Sequence, residues 1–449
     1  MDLGITLSLC VAACVACGWL GRRRPGTLLA LVLASFAIGP QWVLAGYVPK
    51  AVLALALPLQ KGLLIAALAA NLQRFGVRPG ITNWPLLAVV LLALSSVLRA
   101  DPDPRLHLGL MALAALDLAL PWSLAQMIVA PGSRARLAWL LALLAPACVA
   151  AGLVLDLLDV RGLYFGSTTR GLRLHGATNA GWLAFLAFAG FAIALHEAVR
   201  GRQRGMAVLA AVNLALVVLS GGRMGMAACL VLALTYLAGA RAAALLAGRP
   251  AALALGLGGG LALLLLLGAA LGESQRLDAL QHVLRLSGRD TIWLHYLELV
   301  QERPLLGHGL GAGLLGRSYY DLPHNEYLRL LVEGGIIGLV LYGGAVVLWG
   351  RQVMARVEPR ERAFVRALFT ALAVYALTDN ILTMAPGLVP FVYLALILGE
   401  PYPPGPGSGA TADLRNRRNQ AGLRDAHRGR AWIATSFATF CVTACASRR

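Results

Sequence analysis

Charge is scarce in this sequence: 13% of the 449 residues are charged, against about 25% in an ordinary soluble domain. A chain so poor in charge has too little polar surface to enclose a core of its size in water. No G-x-x-x-x-G-K-[ST] occurs, nor a strand-linked G-x-G-x-x-G, and the run Gly258 to Gly260 lies in an apolar stretch. The glycine loops that cradle nucleotide phosphates are therefore missing, which argues against a nucleotide-linked donor. Of seven cysteines, Cys10, Cys14, Cys17, Cys148 and Cys229 lie in apolar runs and Cys441 and Cys445 in the tail. The C-x-x-C of Cys14 and Cys17 has no second pair nearby, so neither a zinc site nor a dithiol redox site is read there. Paired inverted repeats with matching broken helices are also lacking, which weighs against a transporter or flippase, the rival reading from another functional class.

What the chain has in abundance is apolar residues: 59% are hydrophobic and the mean hydropathy is +0.72. The fold class that follows is all-α, a polytopic integral membrane protein. Spans are expected near 26–46, 50–71, 84–99, 107–130, 137–158, 178–198, 206–220, 224–240, 250–271, 332–350, 363–380 and 384–400, each near the length that crosses about 30 Å of hydrocarbon. An apolar segment over 3–20 is read as one more helix, retained because its basic cluster follows the run instead of preceding it as in a signal peptide. That gives about 12 to 13 transmembrane helices. The organisation expected is N-terminal helices over 1–158, helices joined by Arg-bearing loops over 159–271, a long and partly helical loop over 272–331, C-terminal helices over 332–400, and a basic tail over 401–449 that is Pro/Gly-rich and then Arg-rich.

The formal charge of +18 comes from short basic clusters between apolar segments, the distribution expected of cytoplasmic loops and not of a nucleic-acid surface. If the spans alternate, Arg22 to Arg24, Arg74, Arg78, Arg134, Arg136, Arg200 to Arg204, Arg241, Arg249 and Arg351 to Arg362 share one face, which is then cytoplasmic. Arg161, Arg170, Arg173, Arg223 and Arg289 fall on the opposite face, where basic residues are ordinarily sparse. Arg161 and Arg170 are read as partners of lipid headgroups or of Asp156 and Asp159. Arg173, Arg223 and Arg289 each sit beside Gly or Ser, in RLHGATN, SGGRMG and SGRD, and a convergent set of guanidinium forks suits a phosphate-rich ligand. Ser287 and Asp290 form a capping-box-like pair before the periodic run Ile292, Trp293, Tyr296, Leu297, Val300, so a helix should start there with Arg289 in its first turn. Lys61 and Asp117 fall in mid-span and should face protein or water, each being one candidate partner for the other.

Three histidines lie in the long loop. His295 is expected inside the helix that Arg289 opens, and is read as structural. His308 sits in a glycine-rich turn, PLLGHGLGAG, and His324 in DLPHNEYLRLL, where Pro323 and the period Leu328, Leu331, Val332 mark a helix start. His324 is preferred as a base, with Asn325 and Glu326 beside it, His308 as second choice, and Asp379 as a further polar group at the outer end of a span. Asp101 and Asp103 form a D-x-D, but the prolines at 102 and 104 make it read as a turn, so no metal is assigned.

The order S-G-R-D, E-R-P-L-L-G-H-G-L-G, H-N-E-Y-L-R-L-L-V-E-G-G-I-I-G-L over 287–339 resembles the signature region of the O-antigen ligase and polymerase superfamily. Upstream, R-L-H-G-A-T-N-A at Arg173 to Ala180 resembles that family's R-L-x-G-x-x-x-N-P-N element, with Ala180 in place of Pro. L-S-G-G-R-M-G at 219–225 resembles its L-T-x-S-R-G element, with Gly222 where Ser is common. The resemblance implies glycan transfer from undecaprenyl pyrophosphate to an acceptor on the periplasmic side of the bacterial inner membrane, with inversion and without a cofactor. It implies that Arg173, Arg223 and Arg289 bind the donor pyrophosphate and that His324 activates the acceptor hydroxyl. Ligation of O-antigen to lipid A-core is the favoured activity in the family. O-antigen polymerase and protein O-oligosaccharyltransferase remain the alternatives, the latter expected to carry an additional soluble region.

Overall fold

The computed structural model describes residues 23–44, 47–48, 56–76, 78, 80–97, 104–129, 132–167, 171–201, 203–239, 289–312 and 322–399. The expected spans at 3–20 and 250–271, the D-x-D, Arg170, Ser287 and the tail lie outside these residues. Within them the chain is a helical bundle: α1 (Pro25–Ala34), α2 (Ala56–Phe75), α3 (Trp84–Val97), α4 (Pro104–Ala125), α5 (Arg134–Leu157), α6 (Ala180–Gly201), α7 (Arg204–Leu219), α8 (Arg223–Gly239), α9 (Arg289–Glu302), α10 (Glu326–Arg356), α11 (Arg362–Ala376) and α12 (Val389–Gly399). Five of the described helical segments are long and apolar enough to cross a membrane: 25–43, 108–125, 134–157, 180–201 and 326–356. The chain is an all-α polytopic membrane protein. One feature departs from the expectation: residues 164–167 and 171–174 pair as an antiparallel ribbon, β1 and β2, with Phe165 opposite Arg173. Helix α10 begins at Glu326, just behind Pro323 where the sequence predicts a helix start, and continues into the span expected from 332.

Helix α6 is the axis of the bundle, because its apolar residues run round its whole circumference and so require protein on every side. Residues Trp182 to Glu197 are buried without a gap, and α5, α7 and α8 pack against it. One polar contact fixes the α5, α6 and α7 arrangement. Asn213 donates to the carbonyls of Ala142 and Leu209 at 2.9 Å, and a Cβ at Gly190 would stand 2.5 Å from the Asn213 amide oxygen. A small residue on α6 and an amide on α7 thus let the backbones close, which is how helices associate where burial supplies no drive. On the other side, Trp122 of α4 stands edge-on to Trp349 and Phe391, both at 5.0 Å, and donates to the Tyr342 hydroxyl at 2.8 Å, locking α4, α10 and α12 together.

Candidate active site

Arg173 is placed by the ribbon and the turn after it. A Cβ at Gly176 would meet the Cys148 carbonyl at 2.8 Å, and Gly176 has φ +58°, so only glycine lets this turn lie against α5. Asn179 then accepts from the Trp182 amide at 2.7 Å, capping the start of α6. His175, just before Gly176, is buried with Nδ1 2.8 Å from the Gly176 carbonyl, and burial holds its ring below the ordinary imidazole range. In R-L-H-G-A-T-N, therefore, three residues build the turn and Arg173 is what the turn presents. Its Nε donates to the Ser220 carbonyl at 2.8 Å. Ser220 closes α7, and the next glycines are dictated by space: Gly221 has φ +63°, and a Cβ at Gly222 would stand 2.4 Å from the Ala184 Cβ. Arg223 follows as the first residue of α8. One contact thus joins the two upstream motifs. Arg161, read as a headgroup or carboxylate partner, instead donates to the Thr178 carbonyl at 2.8 Å.

Arg289 opens α9, as its sequence setting predicts. That helix packs Tyr296 against Leu328 and Val332 of α10, and the Trp293 indole donates to the Pro323 carbonyl at 2.8 Å. The arginine helix is thereby tied to the residue before His324. His324 lies just outside α10, in a left-handed conformation with φ +47°, uncommon for a residue with a side chain and a mark of functional constraint. His324 thus stands at a helix start as expected, with Asn325 as the N-cap, its side chain accepting from the Leu328 amide at 3.0 Å. Half-exposed, His324 points Nδ1 at Asp379 Oδ1, 3.4 Å away. That oxygen also accepts from the Asn380 amide at 3.0 Å, so the carboxylate is anchored and can orient the ring.

The glycine-rich segment 304–311 clasps α10 where that helix breaks. Gly335 has φ +64° and ψ −168° inside α10, which releases backbone groups from the helical ladder. The loop takes them up: His308 and Gly309 amides donate to the carbonyls of Val332 and Glu333 at 2.8 and 2.9 Å, and the Ile336 and Ile337 amides donate to Pro304 and Leu305 carbonyls at 2.8 and 3.1 Å. Cβ atoms at Gly307 and Gly335 would lie 2.6 and 2.3 Å from opposing backbone. The two halves of the central motif, P-L-L-G-H-G and V-E-G-G-I-I, are two sides of one joint. The His308 ring is spent on it, with Nε2 2.8 Å from the Leu299 carbonyl.

Residues 205–343 match the family model described as O-antigen ligase. That segment, under a third of the chain, is what is similar to the O-antigen ligase family. No curated protein matches the chain. The matched segment runs from α7 into α10 and includes Arg223, Arg289, His308 and His324, whereas Arg173 and Asp379 lie outside it.

Those two outlying residues meet Arg289 at Tyr375. This α11 tyrosine is buried between Phe185 and Phe188, ring centroids 4.8 and 5.6 Å away, within electrostatic reach of Asp379, Arg289 and Arg173. Three charged groups from the ribbon, α9 and the 377–384 turn are therefore gathered at one end of the bundle, with His324 beside Asp379. Tyr375 was not singled out in the sequence, where one aromatic in an apolar run carries no signal beyond packing. Asn325 serves as a cap. Glu326 turns inward, buried against Arg329 at 2.8 Å, and its other oxygen accepts from the Leu382 amide at 3.5 Å. It therefore braces the turn that carries Asp379.

Proposed function

We propose that this protein is an O-antigen ligase, transferring polysaccharide from undecaprenyl pyrophosphate to a sugar hydroxyl of lipid A-core at the periplasmic face of the inner membrane. The observation that carries this reading is the His324 and Asp379 pair, held at the end of the bundle where Arg173 and Arg289 converge on Tyr375. In the reaction, Asp379 accepts from Nδ1 and leaves Nε2 of His324 to take the acceptor proton. The acceptor oxygen attacks the anomeric carbon as the bond from that carbon to the pyrophosphate oxygen breaks, which inverts the centre. The leaving lipid pyrophosphate gains negative charge, and Arg173, Arg223 and Arg289 stabilise it in place of a cation. Arg173 presents its terminal nitrogens from a fixed pose, because its Nε is held by the Ser220 carbonyl.

The lipopolysaccharide ladder of a deletion strain tests the activity. Polymer left on its lipid carrier is the expected outcome. Single repeats on core would assign a polymerase instead, and an unaltered ladder would remove the protein from this chemistry. Purified protein is expected to transfer glycan in excess chelator. Loss there, rescued by magnesium or manganese, would replace the arginine mechanism with a metal-dependent one.

A further inference from the structure

Lys61 and Asp117 do face each other, as the sequence allows, and they are part of something larger. Lys61 of α2, Asp117 of α4, and Glu326, Arg329 and Glu333 of α10 form one buried cluster, each at most 4% exposed. Lys61 contacts Asp117. Asp117 reaches Arg329 at 3.9 Å, and Arg329 pairs with Glu326 at 2.8 Å. Three carboxyl groups stand against two cations, so full ionisation leaves one uncompensated negative charge away from water, where such a charge is costly.

The unbalanced group can be picked out by its contacts. Asp117 has both cations, and Glu326 has Arg329 and the Leu382 amide. Glu333 makes no ion-pair contact among the described residues. Neither of its oxygens has a hydrogen-bond partner of good geometry, although the Gly311 amide faces it together with Arg329, Glu326 and Asp117. Other elements packed round the cluster bring polar groups that are already engaged. Ser96 of α3 accepts from the Leu310 amide at 2.8 Å, Tyr342 donates to the Leu118 carbonyl at 2.8 Å, and His308 is held by the Leu299 carbonyl. Asp379 faces Glu326 from the 377–384 turn and adds only further negative charge.

We propose that this cluster is a proton-binding site in which Glu333 holds one proton at neutral pH. The proton comes from water, brings the count to two charges of each sign, and supplies an O–H donor toward the carboxylates of Glu326 and Asp117. It also sits at a sensitive place. The Glu333 carbonyl is one of the groups that the 304–309 loop binds, and Gly335 two residues on is the break in α10. Ionising Glu333 sets an unpaired charge at the joint that carries His324 at its head. This inference is independent of the ligase reading, since it concerns charge balance inside the bundle and is read without substrate.

Infrared spectroscopy of the full-length protein in detergent tests it. Wild type at neutral pH should display the carbonyl stretch of a buried carboxylic acid, shifted by deuterium, and Glu333→Gln should lose it while melting within a few degrees of wild type, since the amide is isosteric with the protonated acid. Lys61→Met, which removes a cation, should add intensity to the same band by forcing a second carboxyl to protonate. If Glu333→Gln does not fold, the wild-type and Lys61→Met spectra decide alone. No such band in wild type, or a band that persists in Glu333→Gln and disappears in Glu326→Gln, overturns the assignment. So does a wild-type melting temperature that rises with sodium over choline and loses that response in Glu333→Gln, because the site would then hold a sodium ion.

Discussion

At the scale of single residues, His324 is set apart by three properties that no other histidine of the described chain combines: half-exposure, a left-handed backbone and a carboxylate partner. His175 and His196 lie buried and His308 partly buried, each with ring nitrogens committed to protein groups. Exposure is what a base that meets a substrate hydroxyl requires. His324→Ala is therefore expected to lower transfer by about 10²-fold or more while leaving binding of the lipid-linked donor nearly intact, measured with purified donor and acceptor. Asp379→Asn should lose less in kcat, because the amide keeps the ring near its pose and removes only the charge behind the imidazolium. An unaltered rate in His324→Ala would leave the arginines alone as the chemical groups of the site. A second test at this scale concerns the guanidinium fork. Arg289→Lys keeps the charge but offers a point ammonium, so it should already raise the KM for donor, and full activity in Arg289→Ala would remove that residue from donor binding.

At the scale of elements, the joint between the 304–311 loop and the broken α10 explains why a segment so rich in glycine is ordered. Four backbone hydrogen bonds close it, and at Gly307 and Gly335 the two chains approach more nearly than a Cβ allows. Gly307→Ala and Gly335→Ala each add a methyl group against backbone and place an L side chain in the left-handed region. The cost of that region alone is roughly 1–2 kcal/mol, with overpacking of about 1–3 kcal/mol on top. Both variants should unfold at lower temperature in detergent, and both should lose transfer even where they fold, since the joint leads directly to His324. Gly343→Ala on the same helix has open space around it and is the control expected to be near neutral. Much of this was legible before the structure: α9 begins at Arg289, α10 close behind Pro323, and among the described residues α5 to α8 fall within a few residues of the hydropathic limits expected for them. The ribbon at 164–174 was not, because β1 and β2 are four residues each and alternate too briefly to separate from a loop. The clasp was not, because nothing local in P-L-L-G-H-G says that its partner is V-E-G-G-I-I some thirty residues on. Asp379 was read as a weak polar candidate, since its meaning lies in a contact with a residue 55 positions earlier.

For the molecule as a whole, the two ends of the bundle divide their charges by task. The end with Arg173, Arg289 and Asp379 also carries the half-exposed His324. The opposite end, where the basic loops cluster, closes its charges on themselves. There Glu361, just before α11, meets Arg134 of α5 at 3.4 Å, and His196 and Arg200 of α6 at 2.8 and 2.7 Å. Arg134 also reaches Glu197 at 2.8 Å, which accepts from the Tyr393 hydroxyl of α12 at 2.7 Å. Four helices are tied by one knot, with His196 stacked on Phe364 at 3.9 Å. Burial by itself would push the Glu361 carboxyl up, but His196, Arg134 and Arg200 outweigh it and hold it at about 2, below its ordinary 4.5. A carboxylate whose folded value is depressed binds fewer protons folded than unfolded, so its stabilisation is complete above about pH 4.5 and is lost as the pH falls toward 2. The shift corresponds to about 3 kcal/mol at neutral pH. Glu361→Gln keeps the shape but leaves two arginines short of a counter-charge, so it should melt well below wild type at pH 7. Its melting temperature should then fall less steeply than that of wild type as the buffer is taken from pH 5 to pH 3. Parallel acid limbs for the two proteins would mean that the knot holds the helices by packing alone, with the Glu361 charge contributing nothing to the bundle.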